Sequence, residues 1–322
     1  ADVEIAYLQI KDMFGFGGDF KFGRDWYQHG HGFVMHNYAD AISYTKRCGD
    51  VDLALNAFFE RQDAKDDRNP NGTDNDTHQI WNINADYSYK NHDMYLGFYY
   101  GTSLEENKVF NIEFGSHGPV SNCNDKVTYD VAAVYHNLNV KEEGVEDDKG
   151  WLAHVAFNYD SHKQLTAKVA YTMADEESYA PVNVENYNRW CDGDETIFED
   201  MYLFAMSNNG NTNEAFQNLQ DIKVQVGYTL KNADKHSFRL AYDNVQNKKD
   251  PTETEVFSNT FAEITGRDYV KNLKANIITF DYTYKLAENT RIRLGYQNGK
   301  IEADNMPDVK TNLYYTEIYS RF

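Results

Sequence analysis

Long runs of strict period-two alternation constrain this chain more than any other feature. Val51, Leu53, Leu55, Ala57 and Phe59 alternate with Asp52, Ala54, Asn56, Phe58 and Glu60. Trp81, Ile83, Ala85, Tyr87 and Tyr89 alternate with Asn82, Asn84, Asp86, Ser88 and Lys90. Val127, Tyr129, Val131, Ala133 and Tyr135 alternate with Thr128, Asp130, Ala132, Val134 and His136. The same pattern recurs over 151–159, 165–171, 222–230, 278–284 and 292–296. Side chains on a strand point to opposite faces in turn, so each run predicts a strand with one apolar and one polar face.

A soluble β-sandwich alternates too, but its strands are usually about 5–6 residues long and its core face favours Val, Ile and Leu. Here the runs are longer, and the apolar rows begin or end in Trp or Tyr, as a membrane interface selects. Five outward positions span about ten residues, roughly 33 Å of strand. Tilted by about 40°, that covers roughly 25 Å, the height of the apolar band of an outer-membrane barrel. No stretch is long and apolar enough for a transmembrane helix, so a closed barrel is the one membrane architecture the sequence leaves open.

Strands are expected over 3–11, 16–25, 39–47, 51–62, 77–90, 92–102, 108–115, 126–138, 150–160, 163–174, 220–231, 236–246, 274–286, 290–300 and 312–322. Short connections at 11–15, 48–50, 91, 161–162, 232–235 and 287–289 alternate with long ones at 26–38, 63–76, 139–149, 175–219, 247–273 and 301–311. The segments 103–107, short on the external side, and 116–125, longer on the periplasmic side, break the alternation. Barrels of this type have short periplasmic turns and long external loops, which sets the sidedness. The fold class is therefore all-β, a transmembrane antiparallel barrel occupying 1–322 as one domain. Single-chain bacterial barrels have an even strand number. The expectation is 16 strands, with 18 as the alternative, so that one or three strands precede Ala1. One long external loop carries a short helix, with Ile197, Phe198, Met201, Phe204 and Ala205 on one face, Asp194 at its start and Gly210 at its end.

The chain ends Tyr314-Tyr315-Thr316-Glu317-Ile318-Tyr319-Ser320-Arg321-Phe322. A terminal Phe closing an alternating aromatic strand resembles the sorting signal of Gram-negative outer-membrane barrels, and Phe322 is assigned that role on this resemblance. The run Ile5-Ala6-Tyr7-Leu8, then Phe22-Gly23-Arg24, a Gly30-to-Gly32 loop and Tyr38-Ala39-Asp40-Ala41-Ile42 resembles alginate-export-type porins and the barrels of SLH-tethered major outer-membrane proteins. Ala41 stands where that pattern has Gly. The resemblance covers about forty residues and implies a porin of the bacterial outer membrane.

Charge narrows the partners. With 31 Lys and Arg against 51 Asp and Glu, the formal charge is −20, which excludes the basic face that nucleic acid requires. An aromatic content of 15% excludes an acidic disordered chain. The residues opposite the apolar rows would line a lumen. Those assigned as pore-lining are Asp52, Glu60, Asp86, Asp130, Lys168, Lys223, Arg239, Asp281, Arg291 and Arg293. A dry core could not hold them without desolvation costs of several kcal/mol per ion, whereas a water-filled lumen can. Acidic positions dominate between Asp52 and Asp130 and basic ones between Lys168 and Arg293. In a barrel this predicts a transverse field that orients polar solutes; neighbour-paired ladder charges are the alternative.

These readings predict a channel for passive diffusion of small hydrophilic solutes and ions. A sugar- or acidic-oligosaccharide-selective channel and a structural envelope barrel are the alternatives. The partners expected are outer-membrane lipid and small solutes, with a homotrimer as a candidate assembly. No Ser/His/Asp constellation, G-x-S-x-G elbow or phosphate loop is present, so an enzyme is not expected. Cys48, Cys123 and Cys191 form no C-x-x-C pattern, and no cofactor is expected. Asp192, Asp194, Glu195, Glu199 and Asp200 could hold a hard cation in a loop, though without EF-hand spacing. His29, His31 and His36 are expected as solvated loop side chains, with a transition-metal site as the alternative.

Overall fold

A computed structural model describes residues 5–30, 34–61, 77–102, 108–121, 124–139, 148–162, 164–175, 219–231, 233–247, 274–302, 304 and 307–320. The fifteen segments expected from alternation are all strands: β1 (Ala6–Ile10), β2 (Asp19–Gln28), β3 (His36–Cys48), β4 (Val51–Arg61), β5 (Thr77–Tyr89), β6 (His92–Thr102), β7 (Lys108–Ser121), β8 (Asn124–Asn139), β9 (Asp148–Asp160), β10 (Leu165–Ala174), β11 (Leu219–Leu230), β12 (Ala233–Asn247), β13 (Lys274–Ala287), β14 (Thr290–Glu302) and β15 (Val309–Ser320). They form one sheet in strict chain order. The strand pairs from β1 to β6 and from β9 to β15 are antiparallel, from Ala6↔Arg24 between β1 and β2 to Thr290↔Ser320 between β14 and β15.

The chain divides into two compact units. The first comprises 1–116, 132–151 and 177–189; the second comprises 117–131, 152–176 and 190–322. β7, β8 and β9 contribute to both, so the division does not interrupt the sheet order.

The burial pattern inverts that of a water-soluble sheet. On β4 and β5 the apolar row is exposed, with Leu55 at 47%, Trp81 at 58% and Ile83 at 52%, while Asn56, Asn82 and Asn84 on the opposite row are buried. In the second unit Val169, Ile222, Val224, Val226, Leu240, Ile278 and Leu294 are exposed, while Thr172, Asp221, Lys223, Asp243, Thr279 and Gln297 are buried. Exposing such a row to water forfeits roughly 25 cal/mol per Å² of apolar surface. A bilayer removes that penalty. The apolar face is the outer one, and the polar face is the inner one. The fold is the transmembrane barrel class expected from the sequence.

Local chemistry explains where the expected boundaries moved. β2 begins three residues later than alternation suggested, because Met13–Gly15 forms a 3₁₀ turn. Asp12 enters it in the left-handed region, and its carboxylate accepts the Gly17 amide at 2.6 Å. β7 runs on to Ser121, through the Gly118-Pro119 pair that reads as a turn signal. Proline is tolerated in a strand wherever no partner needs its missing N–H.

The outer face also changes chemistry along its length. Tyr242 and Asn244 both donate to Asn276 Oδ1, at 2.7 and 2.8 Å. Tyr296 and Asn298 both donate to Asn312 Oδ1, at 2.8 and 2.9 Å. The same Tyr-x-Asn device thus ends the apolar band on two strand pairs, satisfying each hydroxyl as an interfacial tyrosine requires.

Candidate pore lining

In the first unit, register brings the inner row of β4 onto that of β5, pairing Asp52 with Asp86 and Asn56 with Asn82. Asn56 Nδ2 donates to Asn82 Oδ1 and Asn82 Nδ2 to Asn84 Oδ1, each at 2.7 Å. Asp52 is exposed and lies 3.9 Å from Arg47. On β2, Lys21 pairs with Asp25 and sits over the Tyr7 ring at 4.6 Å.

The first unit also holds a residue from a connection. His29 follows β2, is buried, and stands between two carboxylates. Its Nε2 is 3.3 Å from Asp86 Oδ1, and its Nδ1 is 3.8 Å from Glu113 Oε2. These are ion-pair distances without straight hydrogen-bond alignment. The ring packs edge-on against Tyr95, with centroids 5.2 Å apart. Burial alone would lower the imidazole pKa, but Asp86 and Glu113 outweigh it and raise it from 6.5 to about 9. Glycines make the space: a Cβ on Gly97 would approach His29 Nδ1 to 2.9 Å, and one on Gly115 would fall inside the Tyr95 ring. Gly30 has φ +53 and lies against the same ring, so both backbone conformation and space exclude a side chain there.

In the second unit, β12 to β15 carry a strand-borne network. Arg239 Nε donates to Asp281 Oδ2 at 2.6 Å, and Arg293 Nη2 donates to the same oxygen at 3.1 Å. The Tyr315 hydroxyl donates to Asp281 Oδ1. Arg293 Nη1 also reaches Glu317 at 3.4 Å. Register produces this: Arg239 pairs with Asp281, Asp281 with Gly295, and Arg293 with Glu317. Gly295 lets the Tyr315 ring lie flat over the strand, since a Cβ there would come within 1.9 Å of the ring. Arg291 stacks on Tyr319 at 4.8 Å. Arg239, Arg291 and Arg293 border a cavity of ≈ 240 Å³, with Thr166, Thr229, Ser237 and Thr283 supplying hydroxyls.

Three solved structures from Pseudomonas aeruginosa match over nearly the whole chain. OccK3 (OpdO) aligns with a TM-score of 0.56 and 11% identity, covering 94% of this chain and 76% of its own. OpdK, solved with vanillate, gives 0.55 and 11%, covering 94% and 76%. The outer membrane protein OprD gives 0.53 and 12%, covering 95% and 75%. The chain has the OprD-type barrel fold. No protein-family model matches it, and no curated protein does.

Within the OprD-type fold, the residues singled out from sequence separate into groups. Asp52 and Asp86 are neighbours across one strand pair, and Arg239, Asp281 and Arg293 meet in one network. Arg291 lies beside that network on the cavity wall. Lys168, on β10, is half-buried and pairs in register with Gln225; Asp130, on β8, is half-buried. Lys223 is covered, 3.6 Å from an equally covered Asp243. Glu60 lies on β4, its side chain outside the described residues. Phe322, the carboxylate cluster at 192–200, the expected helix, His31 and the His36 side chain are also outside them.

His29 was expected as a solvated loop residue and is instead buried on the inner row. Alternation could not place it, because it lies beyond a strand end. The usable signal was the small-residue set Gly30, Gly97 and Gly115. Coverage of the inner row in the second unit was also illegible. Thr172, Asp221, Lys223, Asp243, Thr279 and Gln297 are buried, whereas Lys168, Gln225, Arg239 and Thr283, nearer the short turns, remain partly exposed.

Proposed function

We propose that the chain forms a water-filled channel in a bacterial outer membrane, through which small hydrophilic solutes and ions diffuse. The observation that carries this reading is the inverted sheet: apolar side chains exposed on the outer face, carboxylates, guanidiniums and amides on the inner one. Charged groups at such density are stable only where water or an opposite charge reaches them. Asp52, Glu60, Asp86, Asp130, Lys168, Lys223, Arg239, Asp281, Arg291 and Arg293 are the residues proposed to act on permeating ions. The reading is of a channel rather than an enzyme, with outer-membrane lipid as the surrounding partner.

A second reading, selectivity for anionic solutes, is favoured by one specific feature. Among the described residues, Arg239, Arg291 and Arg293 line the cavity of the second unit together with Asp281 and the hydroxyls of Thr166, Thr229, Ser237 and Thr283. The acidic-oligosaccharide alternative fits this chemistry, and kinship with alginate-export-type porins or the barrels of SLH-tethered major outer-membrane proteins is the finer reading. The kinship itself rests on the run from Ile5 to Ile42.

Planar-bilayer recording of the purified protein tests the proposal. Discrete conductance steps are expected, with preference for anions in a salt gradient. Absence of conductance, with the protein folded and inserted, would leave a structural envelope role instead.

A further inference from the structure

We propose that the outer face of β12–β15 carries a seat for the phosphorylated sugar headgroup of an outer-leaflet glycolipid, built from amide and lysine rungs beside the apolar band. This rests on the outer-membrane barrel reading given above.

Register assembles the seat. Leu240, Phe280, Tyr296 and Tyr314 stand side by side across the four strands, an apolar and aromatic rung of the lipid-facing band. Two residues along, Tyr242, Ile278, Asn298 and Asn312 form the next rung. Two residues further come Asn244, Asn276, Lys300 and Lys310, and then Gln246, Lys274 and Glu302. Each step advances about 7 Å along a tilted strand, so the amides and lysines follow the aromatic rung at headgroup level.

The amides are set in place. Tyr242 and Asn244 converge on Asn276 Oδ1, and Tyr296 and Asn298 converge on Asn312 Oδ1. The result is a polar floor of side-chain amides and phenol oxygens, groups that pair with sugar hydroxyls. Charge completes it. Lys300 lies directly opposite Lys310 in register, and like charges so placed repel. Glu302 and Asp308 engage Lys300, the second at 2.9 Å, whereas Lys274 and Lys310 are exposed. Lys274 on β13 and Lys310 on β15 are two strands apart, roughly 10 Å. A lone phosphodiester reaches one of them. A sugar headgroup with a phosphate at each end reaches both.

The opposite ends of the same strands lack this chemistry. There the outward rungs are Phe238, Tyr282, Leu294 and Thr316, then His236, Tyr284, Ile292 and Ile318. The lysine end carries the longer connections, 248–273 and 303–308, and in barrels of this type that end is external. The wall is thus asymmetric in the same sense as an outer membrane, whose external leaflet is phosphorylated glycolipid and whose internal leaflet is phospholipid. Basic groups at a headgroup layer select anionic lipid, and the amide rungs select sugar.

The test is native mass spectrometry of the full chain in detergent micelles, with bisphosphorylated lipid A, dephosphorylated lipid A or phosphatidylglycerol added. Wild type is compared with Lys274→Gln/Lys310→Gln and with Lys11→Gln/Lys90→Gln, which removes the same charge from two short turns. The heat-shift on gels checks that each is a folded barrel. Wild type is expected to retain bisphosphorylated lipid A several-fold more than either other lipid. The Lys274/Lys310 variant should lose most of that preference, and the Lys11/Lys90 variant should keep it. Equal retention of the two lipid A forms would overturn the proposal, and so would equal retention of phosphatidylglycerol. An equal loss in both variants would overturn it too, assigning the binding to bulk charge. Conductance of the Lys274/Lys310 variant should match wild type, since neither lysine is on the inner row, so failure of the channel reading is scored separately. A wild type without heat-shift or insertion would overturn the barrel reading and the seat together.

Discussion

Two ion networks on the inner row solve the same electrostatic problem with opposite parts. In the second unit, one buried carboxylate, Asp281, is shared by two guanidiniums, and all three groups sit on neighbouring strands. In the first unit, one cation, His29, is shared by two carboxylates, and the cation comes from a connection. The first arrangement is fixed by sheet register and cannot move without breaking the barrel. The second is fixed by a side chain that reaches the wall from outside the strands. The difference teaches that the central ion of such a network can be placed by register or delivered by a connection, according to whether it lies on a strand.

Removing each central partner should therefore have unequal effects. Asp281→Ala leaves Arg239 and Arg293 facing each other with their shared carboxylate gone. Breaking a buried pair in this way costs about 3–5 kcal/mol, and the adjoining cavity admits water, which favours the lower end. Asp86→Ala leaves His29 with Glu113, and Asp86 is half exposed, so its effect should be far smaller. Urea unfolding of the two variants in detergent micelles checks this; equal losses would break the comparison.

The outer face should not distinguish the units. Leu55→Arg in the first and Leu240→Arg in the second both place a charge on an exposed apolar row. Each should cost about 2–4 kcal/mol near the bilayer midplane. Folding titrations into vesicles measure this, and a neutral result at either position would remove the lipid-facing assignment of its unit.

A smaller effect sharpens the account of rigidity. Gly295→Ala puts a methyl into the Tyr315 ring, so the ring must lift and its hydroxyl must leave Asp281. Overpacking of this kind costs about 1–3 kcal/mol. The loss should shrink when Tyr315→Ala is combined with it, and a double-mutant cycle without coupling would show that the ring and the glycine are independent.

How far these networks could be read from sequence follows the same division. Parity alone placed Asp52, Asp86, Arg239, Asp281, Arg291 and Arg293 on one face, because a strand's side chains have a period of two. Parity does not give register, so it could not say that Arg239 and Arg293 converge on Asp281 while Arg291 stacks on Tyr319. Boundaries misled at two points. A strand was expected from 16, where β2 begins at Asp19, and a connection over 116–125, where β7 runs on to Ser121. His29 was out of reach, since its partners are 57 and 84 residues away in sequence and belong to β5 and β7. The covering of Lys223 was equally out of reach, since alternation records which face a residue takes and not what lies over it.

The central claim is that the inner row lines an aqueous ion path, and the reversal potential tests it most directly. Arg291 and Arg293 border the cavity of the second unit. Replacing both by Ser removes two fixed positive charges while leaving Arg239 on Asp281. In a KCl gradient the double variant should reverse at a potential shifted toward cation preference. The shift should be larger near 0.1 M than near 1 M, because the Debye length falls from about 10 Å to about 3 Å. A reversal potential identical to wild type at the lower salt would contradict the account, since charges that line an ion path must act on the ions in it.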